Sequence, residues 1–169
     1  MMKRKILSNR GVTLIELLIT AVIVGIVATM AVPRFQIAYE RHRYNGANRA
    51  VNSTFRLARS MAITDKEQYG LHFDVESRAY TIFKDKVNLS GFDFVSGDSI
   101  IRSDTLPPEF GYIVTDVENN VFLFRPNGSC RFNGGGSLVM LAYSEGVVAV
   151  FTNNVLASTG RIHSTSDFY

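Results

Sequence analysis

The sequence predicts an α+β protein, with one long N-terminal helix, membrane-spanning in its first half and amphipathic in its second, packed on an antiparallel β-sheet head. Three observations predict it. Residues 12–32 form an almost unbroken apolar run. Tyr44, Ala47, Val51, Phe55, Ala58 and Ala62 then recur at spacings of three and four, the period of a buried helix stripe. From Tyr69 onward, short stretches of strand character are separated by turn-forming residues.

The apolar run is interrupted only by Thr13, Glu16, Thr20, Gly25 and Thr29. At about 1.5 Å of rise per residue it spans roughly 30 Å, the thickness of a bilayer's hydrocarbon core. Glu16 lies one turn inside, where an ionised side chain costs on the order of 3 kcal/mol near the bilayer centre unless something pairs with it. That makes it a candidate functional residue. Gly11 stands between a basic leader, with Lys3, Arg4, Lys5 and Arg10, and the apolar run. A cut after Gly11 frees an amine on Val12, four residues before Glu16 and so on the same helix face. Cleavage would then create the partner, on this chain or on a neighbour.

Gly11-Val12-Thr13-Leu14-Ile15-Glu16 behind that leader resembles the class III signal of type IV prepilins and type II secretion pseudopilins. Pro33 falls where such helices often carry a proline. The resemblance implies cleavage after Gly11 by a prepilin peptidase, N-methylation of Val12 and a role for Glu16 in filament register. Val12 departs from the family's commoner phenylalanine or methionine. Two other readings stay open at this point. One is an ordinary secretory signal cut near Thr29-Met30-Ala31, against which the intramembrane Glu16 argues; the other is an uncut transmembrane anchor.

The expected organisation is a leader over 1–11, a transmembrane helix over 12–33, an amphipathic helix over 34–63 and a β-rich head over 64–169. About 135 residues follow the membrane run, enough for one domain with a modest core. The formal charge of +3 comes from 18 Lys and Arg against 15 Asp and Glu. Four of those bases lie in residues 1–11, which leaves 14 against 15 after a cut, so the basic balance belongs largely to the leader. Residues 34–63 hold Arg34, Arg41, Arg43, Arg49, Arg56 and Arg59 against Glu40 alone, while residues 64–169 hold eight basic and 13 acidic side chains. A basic stalk thus carries an acidic head. The basic face is either simply solvated or packs beside acidic neighbours in a filament; Arg34, Arg41 and Arg43 could also meet acidic lipid head groups. Cys130 is the one cysteine, which excludes an intramolecular disulfide, and the positive-inside rule places the head on the outer side of the membrane.

Past Pro33 the helix is expected to resume after a kink, because proline removes a backbone donor. Ala50, Thr54, Leu57 and Met61 widen the buried stripe, and Arg41, Arg49, Arg56 and Arg59 fall on the far side. Residues 69–73 and 80–84 read as a hairpin around a polar turn. Residues 86–111 are broken by glycine, serine and Pro107-Pro108, with a strand around Ile100 and Ile101. Residues 121–124 read as a strand closed by Pro126-Asn127-Gly128, and residues 137–143 and 147–152 as a second hairpin through Ser144-Glu145-Gly146. Asn133-Gly134-Gly135-Gly136 reads as a connector, since it lacks the Lys-Ser/Thr of a phosphate-binding loop. The last six residues read as loose.

Leu57-Ala58-Arg59-Ser60-Met61-Ala62-Ile63 resembles the helix end of the GspH/FimT family, Phe124-Arg125-Pro126-Asn127-Gly128 its FxPxG turn, and Thr159-Gly160-Arg161-Ile162 its terminal GR element. The resemblance implies a minor pseudopilin or pilin, a structural subunit of a type II secretion pseudopilus or a type IV pilus. Such a subunit crosses the inner membrane once with its head in the periplasm. Its partners are the prepilin peptidase, the inner-membrane assembly platform, and other major and minor pseudopilins or pilins. The alternative is a DNA-binding minor pilin, because some FimT-type pilins take part in DNA uptake through a GRxR element. Here the element reads Gly160-Arg161-Ile162-His163, and the histidine is mostly neutral at pH 7. Arg161 and His163 are the candidate DNA contacts, with Arg125 and Arg131 as neighbours; nonspecific affinity scales with phosphates neutralised, and these are few. An enzyme is not expected: the three histidines are not paired with acids at ligand spacing, His72 reads as a structural strand residue, and there is no nucleophile motif. No catalytic residue, metal or cofactor is assigned.

Overall fold

The computed structural model describes residues 12–87, 91, 93–131, 135–144 and 146–169. Gly11 with its basic leader, Ser90, Asn133, Gly134 and Glu145 lie outside the described residues. The chain divides into two units, Met1–Ala38 and Tyr39–Tyr169.

Helix α1, Leu14–Asp65, contributes to both units and runs through Pro33 without a break in its assignment. In the first unit its apolar side chains stand exposed, and among the described residues it is the one helix long and apolar enough, by length and composition, to cross a membrane. The hydroxyls of Thr20 and Thr29 are satisfied locally. The Thr20 hydroxyl donates to the Leu17 carbonyl at 2.9 Å and the Thr29 hydroxyl to that of Ile26 at 2.7 Å. Neither O–H would be left unpaired in an apolar medium.

In the second unit α1 buries Tyr44, Asn48, Val51, Thr54, Phe55, Ala58 and Ala62. The expected stripe stands with two changes: Leu57 is exposed rather than widening it, and Asn48 occupies a core position. The helix closes at Asp65, where Lys66 takes a left-handed φ of 60°. That conformation costs a non-glycine residue roughly 1–2 kcal/mol. The Tyr69 hydroxyl donating to Asp65, and an ion pair between Lys84 and Glu67, pin the turn. The bond to Asp65, together with burial, pushes the Tyr69 phenol up to about 12.

Two four-stranded antiparallel sheets follow. The first contains β1 (Tyr69–Asp74), β2 (Ala79–Lys84), β3 (Ser99–Thr105) and β5 (Val121–Phe124) in the order β3-β2-β1-β5. The second contains β4 (Phe110–Thr115), β6 (Gly136–Ser144), β7 (Val147–Val155) and β8 (Ile162–Phe168) in the order β4-β6-β7-β8. Both expected hairpins form, as β1–β2 and β6–β7. The region 86–111 yields β3 around Ile100 and Ile101, and β4 begins within it. The last residues are not loose. β8 pairs with β7 from Ile162 opposite Val155 to Phe168 opposite Ala149, so the backbone ladder holds a strand whose side chains are mostly exposed. Phe168 anchors its end, edge-on to Phe151 at 5.8 Å, with the Arg41 guanidinium 5.5 Å from the ring centroid.

One core joins α1 to both sheets. Tyr44 meets Phe110 edge-on at 5.8 Å, and Phe110 lies 6.0 Å from Phe151. Phe55 meets Phe122 edge-on at 5.0 Å and lies 5.7 Å from Phe73. Phe55→Ala is therefore expected to cost about 3–5 kcal/mol, read by circular dichroism during urea unfolding of the detergent-solubilised chain. A loss under about 1 kcal/mol, the range of surface changes, would contradict this packing.

A polar seam runs beneath the helix. Asn153 donates to Asn48 Oδ1 at 2.9 Å, Asn48 donates to Ser164 Oγ at 3.1 Å, and Asn52 donates to Asn153 Oδ1 at 3.0 Å. These bonds pair the buried amides of Asn48 and Asn153, leaving Asn52 Oδ1 without a partner among the described residues, and tie α1 to β7 and β8. The outer face of the first sheet is covered by the chain itself, through Phe94 against Phe83, Val121 and Leu123. His72 stacks on Phe94 at 5.3 Å, and burial lowers its pKa against the opposing pull of Asp74.

Candidate functional site at the N-terminal motif and the turn cluster

Val12 is exposed and lies just ahead of α1. Thr13 takes the N-cap: its carbonyl accepts the Leu17 N–H at 3.2 Å and its hydroxyl accepts the Glu16 N–H at 3.3 Å. Thr13-Leu14-Ile15-Glu16 thus has the order of a capping box, and Glu16 sits in the first turn, beside the positive end of the helix dipole. The sequence spacing put Val12 and Glu16 on one helix face. In the uncut chain Val12 instead precedes the helix, because the Thr13 hydroxyl starts it at Leu14.

A second constellation assembles three segments far apart in sequence. The Arg59 Nε–H donates to the carbonyls of Gly128 and Thr159, each at 3.0 Å. In the first turn, the Gly128 N–H donates to Arg125 O at 2.8 Å, and Asn127 Oδ1 accepts the Ser129 hydroxyl at 2.7 Å. In the second, the Gly160 N–H donates to Leu156 O at 2.7 Å. The Cys130 N–H joins the two turns by donating to Ala157 O at 2.8 Å. Gly160 has a φ of 62°, and a Cβ there would press into the Gly128 carbonyl. Arg59 was expected on the solvent side of α1; it is half-buried because it follows Phe55 by four residues and so flanks the buried stripe. The helix end, the proline turn and the GR element therefore meet, and what they build is a structural clamp.

Arg125 and Arg161 lie exposed on these neighbouring turns, and His163 is exposed on β8. Arg131 is half-buried, with its N–H donating to Leu123 O at 2.7 Å. Arg43, considered above for lipid head groups, makes a bidentate pair with Glu109 at 2.7 and 3.1 Å, and Glu40 stands 3.8 Å away. The bond to Glu109 raises the Arg43 pKa. Among the described residues no group of His, Cys, Asp and Glu is placed to hold a metal. Burial pushes the Cys130 thiol up to about 12. Native protein at pH 7.5 is therefore expected to resist iodoacetamide and to react fully once unfolded, as read by intact mass; rapid labelling of the folded chain would contradict the burial.

The family profile of the prokaryotic N-terminal methylation motif matches residues 6–32. Among solved structures the chain is similar to the type IV minor pilin FimU of Pseudomonas aeruginosa. In one crystal form the TM-score is 0.53 at 16% identity, covering 75% of this chain and 90% of that one. In another it is 0.50 at 15%, covering 72% and 91%. The minor pseudopilin EpsH from the type 2 secretion system of Vibrio cholerae gives 0.49 at 13%, covering 70% and 95%. No curated protein matches by sequence. The methylation motif leads into a long helix packed on antiparallel sheets, an architecture of the pilin-like α+β class. Within that class the fold is the one FimU displays.

Proposed function

We propose that this chain is a minor subunit of a pilus-type filament, a type II secretion pseudopilus or a type IV pilus. It is cut after Gly11 by a prepilin peptidase and N-methylated on Val12. It spans the inner membrane once with its head in the periplasm, until an assembly platform draws it into the filament beside other major and minor subunits. The observation that carries this reading is the exposed apolar helix that begins at the methylation motif and holds Glu16 in its first turn. The fold likeness to a type IV minor pilin supports it.

The physical logic is one of register. A bundle of apolar helices offers little to fix the axial position of one against another. A carboxylate in that bundle is tolerated beside a cation and penalised elsewhere. Cleavage supplies that cation as the Val12 amine, so Glu16 can select one position against its own or a neighbouring terminus. The head contributes a rigid surface and no chemistry. In cells carrying such a machine, sheared filaments are expected to contain the chain and to lose it when the peptidase is deleted. A chain confined to the membrane in peptidase-positive cells would contradict the proposal.

A further inference from the structure

On the outer face of the second sheet Tyr112, Val114 and Tyr143 stand exposed among the described residues. An antiparallel strand with one solvated face alternates apolar and polar residues; strands apolar on both faces belong to sheets covered on both sides. Near their shared hairpin β6 and β7 are of the second kind, whereas Ser137, Thr152 and Asn154 keep the far end of the same face polar. Leu138, Met140, Ala149 and Phe151 point into the core, yet the alternate positions carry Leu141, Tyr143 and Val150. The first sheet meets the same requirement with its own residues, since Phe94 lies 4.9 Å from Phe83 across its outer face.

On the second sheet the register makes the exposed tyrosines contiguous with the half-buried Leu141, Val148 and Val150. Tyr112 stands opposite Leu141, which stands opposite Val150. Tyr143 stands opposite Val148, which exchanges backbone bonds with Tyr169. Tyr112, Tyr143 and Tyr169 are 62%, 63% and 76% exposed. The outward positions of β4, β6 and β7 hold no charged residue; Asp167 on β8 is the first.

We propose that this face docks the head of a neighbouring pilin-like subunit in the assembled filament, through an uncharged apolar surface on that head. The inference rests on the filament reading above. A lipid surface fits less well, because the face offers no Lys or Arg to anionic head groups and ends at an aspartate. A free dimer fits less well by area. The three tyrosines at these exposures offer roughly 400 Å² and the partly exposed aliphatic residues beside them less than that again, short of the roughly 800 Å² per partner of a stable complex. Heads tethered through bundled helices meet at an effective concentration of about millimolar, where an interface of this size is sufficient.

The test uses the full chain in cells that assemble filaments. Tyr143→p-benzoylphenylalanine is expected to crosslink to another pilin-like subunit only when assembly proceeds, while the same substitution at Ile101, on the edge strand of the other sheet, does not. Tyr112→Glu with Tyr143→Glu should lower the amount in sheared filaments about tenfold, with melting temperature and mature N-terminus unchanged; Tyr143→Phe, which keeps the apolar area, should incorporate normally. Equal incorporation of the double variant would overturn the inference. So would a crosslink to lipid, to a protein of another class, or to a second copy in detergent without assembly. If the unmodified chain never enters filaments, the proposed function fails; if it enters and the double variant enters equally, this inference alone fails.

Discussion

Replacing Gly160 by alanine is expected to lower the stability of the head by about 3 kcal/mol. Two costs add. The φ of 62° is left-handed, which disfavours any side chain, and the new Cβ would press into the Gly128 carbonyl. That carbonyl cannot retreat freely, because the Arg59 guanidinium holds it at 3.0 Å. Gly146 supplies the control. Its φ of 85° is equally left-handed, but nothing lies within 4 Å of where a Cβ would be. Gly146→Ala should therefore cost only the conformational part, about 1 kcal/mol. Urea unfolding of both variants reads the difference, and equal losses would mean that the clamp around Arg59 adds nothing.

Glu16→Leu is expected to leave insertion and cleavage intact and to lower incorporation into filaments by on the order of a hundredfold, the equivalent of the roughly 2.5–3.5 kcal/mol that an unpaired charge costs in an apolar bundle. Glu16→Gln separates charge from cap. Glutamine can serve as the fourth residue of the capping box that Thr13 begins, but it cannot neutralise an amine. If register rests on charge, Glu16→Gln fails as Glu16→Leu does, with both chains cut at Gly11. Normal incorporation of either variant, quantified against total membrane-bound chain, would refute the register role.

The two ends of the sequence differ in how much they reveal. The apolar run and the stripe through Tyr44, Val51, Phe55, Ala58 and Ala62 are legible because length and a repeated 3.6-residue period each specify one outcome. The two hairpins are legible for the same reason, with turn residues between apolar strands. β8 was not, because His163-Ser164-Thr165-Ser166-Asp167 buries little; its position comes from the ladder to β7, which composition does not encode. β4 follows Pro107-Pro108 and contains a register shift between Phe110 and Tyr112, so alternation is lost where it would identify the strand. Arg59 was expected on the solvent side, and Asn48 was not among the residues of the expected stripe. Each is held by partners more than sixty residues away, Asn153 and Ser164 for one, Gly128 and Thr159 for the other. The capping role of Thr13 was within reach, since T-x-x-E at the start of an apolar run is itself a helix-start signal.

Processing at the N-terminal motif decides whether this head and helix belong to a filament. The direct measurement is the intact mass and N-terminal sequence of the chain recovered from membranes of cells with and without a prepilin peptidase. A chain that begins at N-methylated Val12 only when the peptidase is present is the expected result. A chain that still begins at Met1, or one that begins after Ala31, in cells containing the peptidase would contradict it.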